Sequence, residues 1–273
     1  MVHRAHWPIT AALAIAANGL AFAQPSPTGV GLTAAVRTAV SRGELLYIYD
    51  EAGWHGTDDF LANYAGLAGQ AGGYVVSGDD LDAELVFYDK SKSNAVYRAK
   101  FINRKLVKSG PAAADRVALT AIEKQLIAAK DKALAAFIAA NVGLCSASNP
   151  NLAALPPERP GGPVIVYIMT SSTTPDTVPL GGHYSVEVAA DGSVGPIRHF
   201  TKACIDMPMN KKPPVGEPVA FVVTHLLDPT PTEIHVFSSL TSKVPLIVVT
   251  SPDARMWLVD GNKVSSMPAP KKP

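Results

Sequence analysis

Two cysteines, seven histidines and 17% charged residues are a sparse supply for a chain of 273, and each shortage closes off a class of protein. Two cysteines cannot build a disulfide-dense scaffold or a four-cysteine zinc ribbon. The charged fraction falls below the roughly 25% of an average soluble domain, and 24 basic against 23 acidic residues leave a formal charge of +1. So even a balance gives no electrostatic case for binding nucleic acid or an anionic membrane surface. Lys211-Lys212 and Lys271-Lys272 are isolated pairs beside proline, not a basic stripe interleaved with aromatics. There is no G-x-S-x-G elbow, H-E-x-x-H helix, Walker-type loop, C-x-x-C or C-x-x-C-H, which removes the common signatures of hydrolases, zincins, nucleotide-binding loops and haem attachment. No motif carries a resemblance to a family of known activity. What is abundant is apolar material, 47% of the chain, too much for a disordered protein.

Part of that apolar content sits at the start. Arg4 precedes the run AALAIAANGLAFA at 11–23, which ends in the small-residue pattern Ala21-Phe22-Ala23. This is the layout of a secretory signal peptide over 1–23. The run is shorter than the roughly twenty residues a membrane-spanning helix needs, and Asn18-Gly19 interrupts it, so no transmembrane span is expected after cleavage. Cleavage after Ala23 predicts a mature chain of 250 residues from Gln24, with formal charge zero, in the periplasm or secreted.

The mature chain predicts an α+β fold in two units. Over 24–145, a short helix ends near Gly43, and ELLYIYD at 44–50 reads as a strand from its β-branched and aromatic content. Thr57-Asp58-Asp59 starts a second short helix. An antiparallel meander follows, with a hairpin formed by 83–89 and 95–102. In its second run Tyr97, Ala99 and Phe101 alternate with Val96, Arg98 and Lys100, the period of a strand with one packed and one wet face. One long helix is predicted over 115–141, from Leu119, Ile122, Leu126, Ala129, Ala133 and Phe137 at spacings of three and four, with Asp115 as its N-cap. Residues 146–163 hold five prolines and read as a linker. A mostly antiparallel β unit spans 164–265, with strands at 164–169, 183–188, 197–205, 219–226, 233–238, 246–250 and 256–259. Residues 266–273 read as a disordered tail.

Export places Cys145 and Cys204 in an oxidising compartment, where one structural disulfide is the expected state. It would pin the end of the long helix to the β unit. The competing reading makes Cys204 a nucleophile with His199 as its base.

The densest chemistry lies in THLLDPTPTEIHVF at 224–237, holding His225, Asp228, Glu233 and His235. If flanking strands form a hairpin around Pro229, then His225, Glu233 and His235 share one face. Two imidazoles and a carboxylate are a possible divalent-metal site or acid/base set; the plain alternative is a solvated edge hairpin. Asp50, Glu51, His55, Asp58 and Asp59 around Trp54 form a second group, in which Asp58 and Asp59 already fit a helix start. The run Asp79, Asp80, Asp82, Glu84 lacks the glycine and terminal glutamate of a calcium loop. Gly66, Gly69, Gly72 and Gly73 do not sit between a strand and a helix as a phosphate loop requires. The expectation is an exported, non-catalytic binding or structural envelope module, with an unspecified protein or small-molecule partner and no cofactor. The alternative is a metal-dependent or acid/base hydrolase using His225, Glu233 and His235.

Overall fold

A computed structural model describes residues 29–79, 81–174, 176–209 and 220–268. The signal pattern of 1–23, Asp80, both lysine pairs and residues 269–273 of the expected tail lie outside them. The described part is α+β.

Its first element corrects the N-terminal expectation. Gly29–Asn63 is one 35-residue helix, α1, where two short helices and a strand at 44–50 were predicted. The helical period is present once the window is long enough: Leu46, Tyr49, Ala52 and Phe60 are buried along one stripe. No proline interrupts the chain between Pro27 and Pro111. Tyr47, Ile48 and Tyr49 have strand propensity, but tertiary burial outweighs differences of a few tenths of a kcal/mol per residue. Gly43 is not a cap. A Cβ there would lie 2.6 Å from Val236 Cβ and 2.7 Å from the Glu233 carbonyl oxygen, so its bare backbone is where α1 is crossed by a later helix.

The predicted meander is present as β1 (Ala71–Gly78), β2 (Asp82–Asp89), β3 (Ala95–Ile102) and β4 (Lys105–Pro111), all antiparallel neighbours in that order. Opposite α1, its inner face contributes Leu85, Phe87, Tyr97 and Phe101 to a core shared with Leu46 and Phe60. The outer face of β3 is not uniformly wet as expected, because Arg98 is buried there. It lies beneath the start of α2 (Ala121–Ala139), whose N-cap is Thr120 in a capping box with Glu123. Asp115 falls instead in a separate short turn before the helix.

Within the proline-rich segment, Asn151–Leu155 forms a strand, β5, paired antiparallel to β6 (Val164–Met169). That part is therefore not a structureless linker. Two edges continue the sheet: β8 (Tyr184–Val188) beside β6, and the two-residue β9 (Arg198–His199) beyond it. All six residues of β6 are buried. One of its faces meets α2 through Val166, Ile168, Leu126 and Phe137; the other sends Ile165 and Tyr167 into the α1 core. Between these strands, β7 (Thr177–Pro179) and β10 (Asp206–Pro208) form a small ribbon, so only 198–199 of the strand expected over 197–205 pairs with β8.

The last sheet is β11 (Phe221–His225), β12 (Leu246–Thr250), β13 (Arg255–Asp260) and β14 (Lys263–Ser266). Here β11 and β12 run parallel and the other pairs antiparallel. The parallel pair needs a crossover, supplied by α3 (Glu233–Ser242). A strand at 233–238 is thus replaced by a helix, and the hairpin around Pro229 does not form. The fold reaches into the expected tail: β14 ends at Ser266, and the Met267 amide donates to the Met256 carbonyl at 2.8 Å.

Candidate functional site

The helix that replaces the expected strand still brings both histidines together. His225 ends β11 and His235 sits in the first turn of α3, and their rings meet edge to face with centroids 4.7 Å apart. Both are buried. Glu233 goes elsewhere: its carboxylate accepts from the Tyr167 hydroxyl at 2.8 Å and faces Arg198 at 3.7 Å and Arg42 at 4.0 Å. Among the described residues, no group of three or more His, Cys, Asp or Glu is placed to hold a metal ion.

His225 is instead partnered by Asp228, whose Oδ2 accepts from its Nε2 at 2.9 Å. The other carboxylate oxygen of Asp228 accepts from Arg198 at 3.1 Å. Burial raises the Asp228 carboxyl, but the His225 and Arg198 contacts outweigh it and hold the group below its ordinary value. Arg198 in turn lies 4.5 Å over the Phe200 ring. The result is a polar knot joining α1, β6, β9, the turn after β11 and α3, extended at its rim by Arg42 donating to Glu158 at 2.7 Å. Asp228 lies in the segment singled out from sequence. Arg42, Glu158, Tyr167 and Arg198 come from distant stretches, and no spacing connects them to it.

The His235 side chain has a local task. Its Nδ1 accepts the Thr232 amide at 3.0 Å, the position a Glu or Gln fills in a capping box. Burial, with the His225 ring beside it, pushes the imidazole down to about 3. An unfolded chain protonates this histidine below about 6.5, while the folded chain excludes the proton until about 3. Stability therefore falls as pH drops through that window, by a total on the order of 5 kcal/mol. His235→Gln keeps the capping geometry and cannot titrate. Urea midpoints measured from pH 7 to pH 3 should fall less steeply in this variant than in wild type, and equal slopes would refute the assignment. Burial lowers His183 as well, so the slope is reduced and not abolished.

The remaining sequence candidates are dispersed. His55 stacks on Trp54 at 4.7 Å and lies 3.8 Å from Glu51. Asp59 accepts from Tyr97 at 2.6 Å and from Asn63 at 2.8 Å. Asp50, raised to about 6 by burial, and Lys130, lowered to about 8 by burial, line a chamber of ≈ 20 Å³, room for about one water. Asp79 uses its carboxylate on the Leu81 and Asp82 amides of its own turn.

Cys145 and Cys204 are disulfide-bonded and no free cysteine remains among the described residues, so no thiolate is left for the Cys204–His199 alternative. The bridge forms part of the wall of an open cleft of ≈ 640 Å³, within the 300–1,000 Å³ range of small-molecule sites. One wall is the chain after α2, Gly143 to Cys145. His199, the loop Thr201 to Cys204, Gly182, Tyr184 and Leu227 complete the lining. The Tyr184 hydroxyl donates to the Gly143 carbonyl at 2.6 Å, and the Gly182 amide donates to Thr201 Oγ1 at 3.1 Å. Gly182 has φ +72°, and a Cβ there would come within 2.5 Å of Cys145 Sγ; the bridge packs directly on its backbone. The chain matches no family model, no curated protein and no solved structure.

Proposed function

We propose that this chain is an exported, non-catalytic binding module of the cell envelope, taking a small ligand in the cleft beside the Cys145–Cys204 bridge. The observation that carries the reading is the cleft itself, ligand-sized and with its two walls cross-linked. Cross-linking limits the ordering that binding must impose, so less of the contact energy is lost on association. Export is supported by the signal pattern of 1–23 and by a disulfide, which persists in oxidising compartments.

One observation favours a second reading, acid/base hydrolysis: Asp228 orients His225 in the way a carboxylate orients a catalytic imidazole. However, His225 is 3% exposed and does not line the cleft. A base must come within hydrogen-bond reach of the proton it takes, and this imidazole is covered.

Amide correlation spectra of the protein from Gln24, recorded against a library of small amphiphiles, test the two together. Shifts concentrated at 143–145, 199–204 and Leu227 support the binding module, and a library that moves none of these residues removes the cleft as a ligand site. Ester or phosphoester turnover that is lost in His225→Gln would establish the hydrolase instead.

A further inference from the structure

The cleft has a charge character that narrows its ligand. Of the residues lining it, none is acidic, and the two that can carry positive charge are His199 and Lys202. Arg198 is adjacent in sequence, but its charge is already met by Asp228 and Glu233. Lys202 has no carboxylate partner among the described residues. Thr201 adds a hydroxyl at the same wall, and the rest of the lining is apolar or aromatic: Leu144, Ala203, Leu227, the Tyr184 ring and the disulfide.

We infer that the cleft selects a monoanion with an apolar body, of the class of aliphatic or aromatic monocarboxylic acids. This rests on reading the cleft as the ligand site. One ammonium matches one carboxylate in charge, with the threonine hydroxyl as a further donor. A phosphate dianion would carry a second charge that the single ammonium of Lys202 does not match. The hydrocarbon part covers Leu144 and Leu227, where burial stabilises by roughly 25 cal/mol per Å². Because Lys202 is exposed, its pairing contributes no more than about 1 kcal/mol, so the anion preference is modest and the apolar contact supplies most of the affinity.

The test uses three probes that share one hydrocarbon chain and differ in head group: octanoate, 1-octanol and octyltrimethylammonium, each titrated in monomeric solution with amide shifts as readout. The expected result is octanoate binding at 143–145 and 199–204 about fivefold more tightly than octanol, with the cation weakest. Lys202→Glu, a change at an exposed position, should invert the order of octanoate and octyltrimethylammonium while leaving the unfolding midpoint unchanged. Equal binding of all three at these residues would overturn the anion class and leave the binding module standing. Octanoate affinity unaltered in Lys202→Glu would do the same. If no probe moves the cleft residues, the monocarboxylate assignment fails, and the library screen then decides separately whether any ligand enters.

Discussion

Arg98→Leu will destabilise the protein by about 3–5 kcal/mol. Arg98 and Glu123 are 7% and 2% exposed in their side chains, and they meet as a fork, with Nη1 to Oε1 at 2.6 Å and Nη2 to Oε2 at 3.1 Å. The guanidinium also donates to the Arg116 carbonyl at 3.0 Å and to Glu84 at 3.1 Å. Removing it leaves the Glu123 carboxylate buried without a cation, the costly half of breaking a buried pair. Glu123 is simultaneously the capping residue of α2, accepting the Thr120 amide at 2.8 Å, so it cannot swing out to water without freeing the helix start. Glu123→Gln in the Arg98→Leu background keeps that cap and removes the stranded charge, and it should recover about half of the loss. Urea unfolding of the single and double variants measures both. Burial pushes the Glu123 carboxyl up, but Arg98 and the Thr120 amide more than reverse this, and its folded pKa lies below the ordinary value. The stability it contributes is present above the unfolded pKa near 4.5 and is lost as pH falls through the folded value. The Arg98→Leu penalty should therefore shrink in acid; a penalty under about 1 kcal/mol at pH 7 would show the fork to be incidental.

Loss of the Cys145–Cys204 bridge is the second large effect. The bridged residues are 59 apart in sequence, and in the chain-entropy model closing such a loop stabilises by about 4 kcal/mol. The comparison is Cys145→Ser/Cys204→Ser against wild type in urea, with a thiol count on denatured, unreduced protein giving zero. The double variant should unfold at a lower urea midpoint, with the cleft lining then held by hydrogen bonds such as Tyr184 to Gly143 and Gly182 to Thr201. A midpoint shift worth less than about 1 kcal/mol would mean that other contacts hold these walls.

Where sequence reading succeeded, the physics was local. The hairpin of β2 and β3 follows from alternation and a short polar turn, and the α2 stripe at Leu126, Ala129, Ala133 and Phe137 is buried as its spacing implies. The disulfide follows from having only two cysteines. Where it failed, a distant partner decided the outcome. In α1, Gly43 reads as the end of a short helix, yet it is the place where Val236 can approach. Glu233 and His235 have strand-like neighbours in Ile234, Val236 and Phe237, but Thr232 and the His235 imidazole start a helix, and that helix is the crossover required by the parallel pairing of β11 with β12. Arg98 alternates as a wet-face residue would, and its burial is made tolerable by Glu123 on α2, with Glu84 and the Arg116 carbonyl beside it. The cleft had no signature at all, because its lining comes from four separate segments whose proximity exists only after the sheet of β5, β6, β8 and β9 has formed.

The course of α1 sets the order in which this molecule can be completed. Val36 and Val40 pack in a core with Val236, Val259 and Val264, and Glu44 accepts from Asn262 at 2.6 Å. The N-terminal half of α1 thus depends on partners far along the sequence, in α3, β13 and β14. Until β13 and β14 are in place, Val36 and Val40 lack part of their cover, whereas the stripe from Leu46 to Phe60 is closed by the meander and by β6. Removal of the β13–β14 hairpin would therefore uncover Val36 and Val40 near the start of α1.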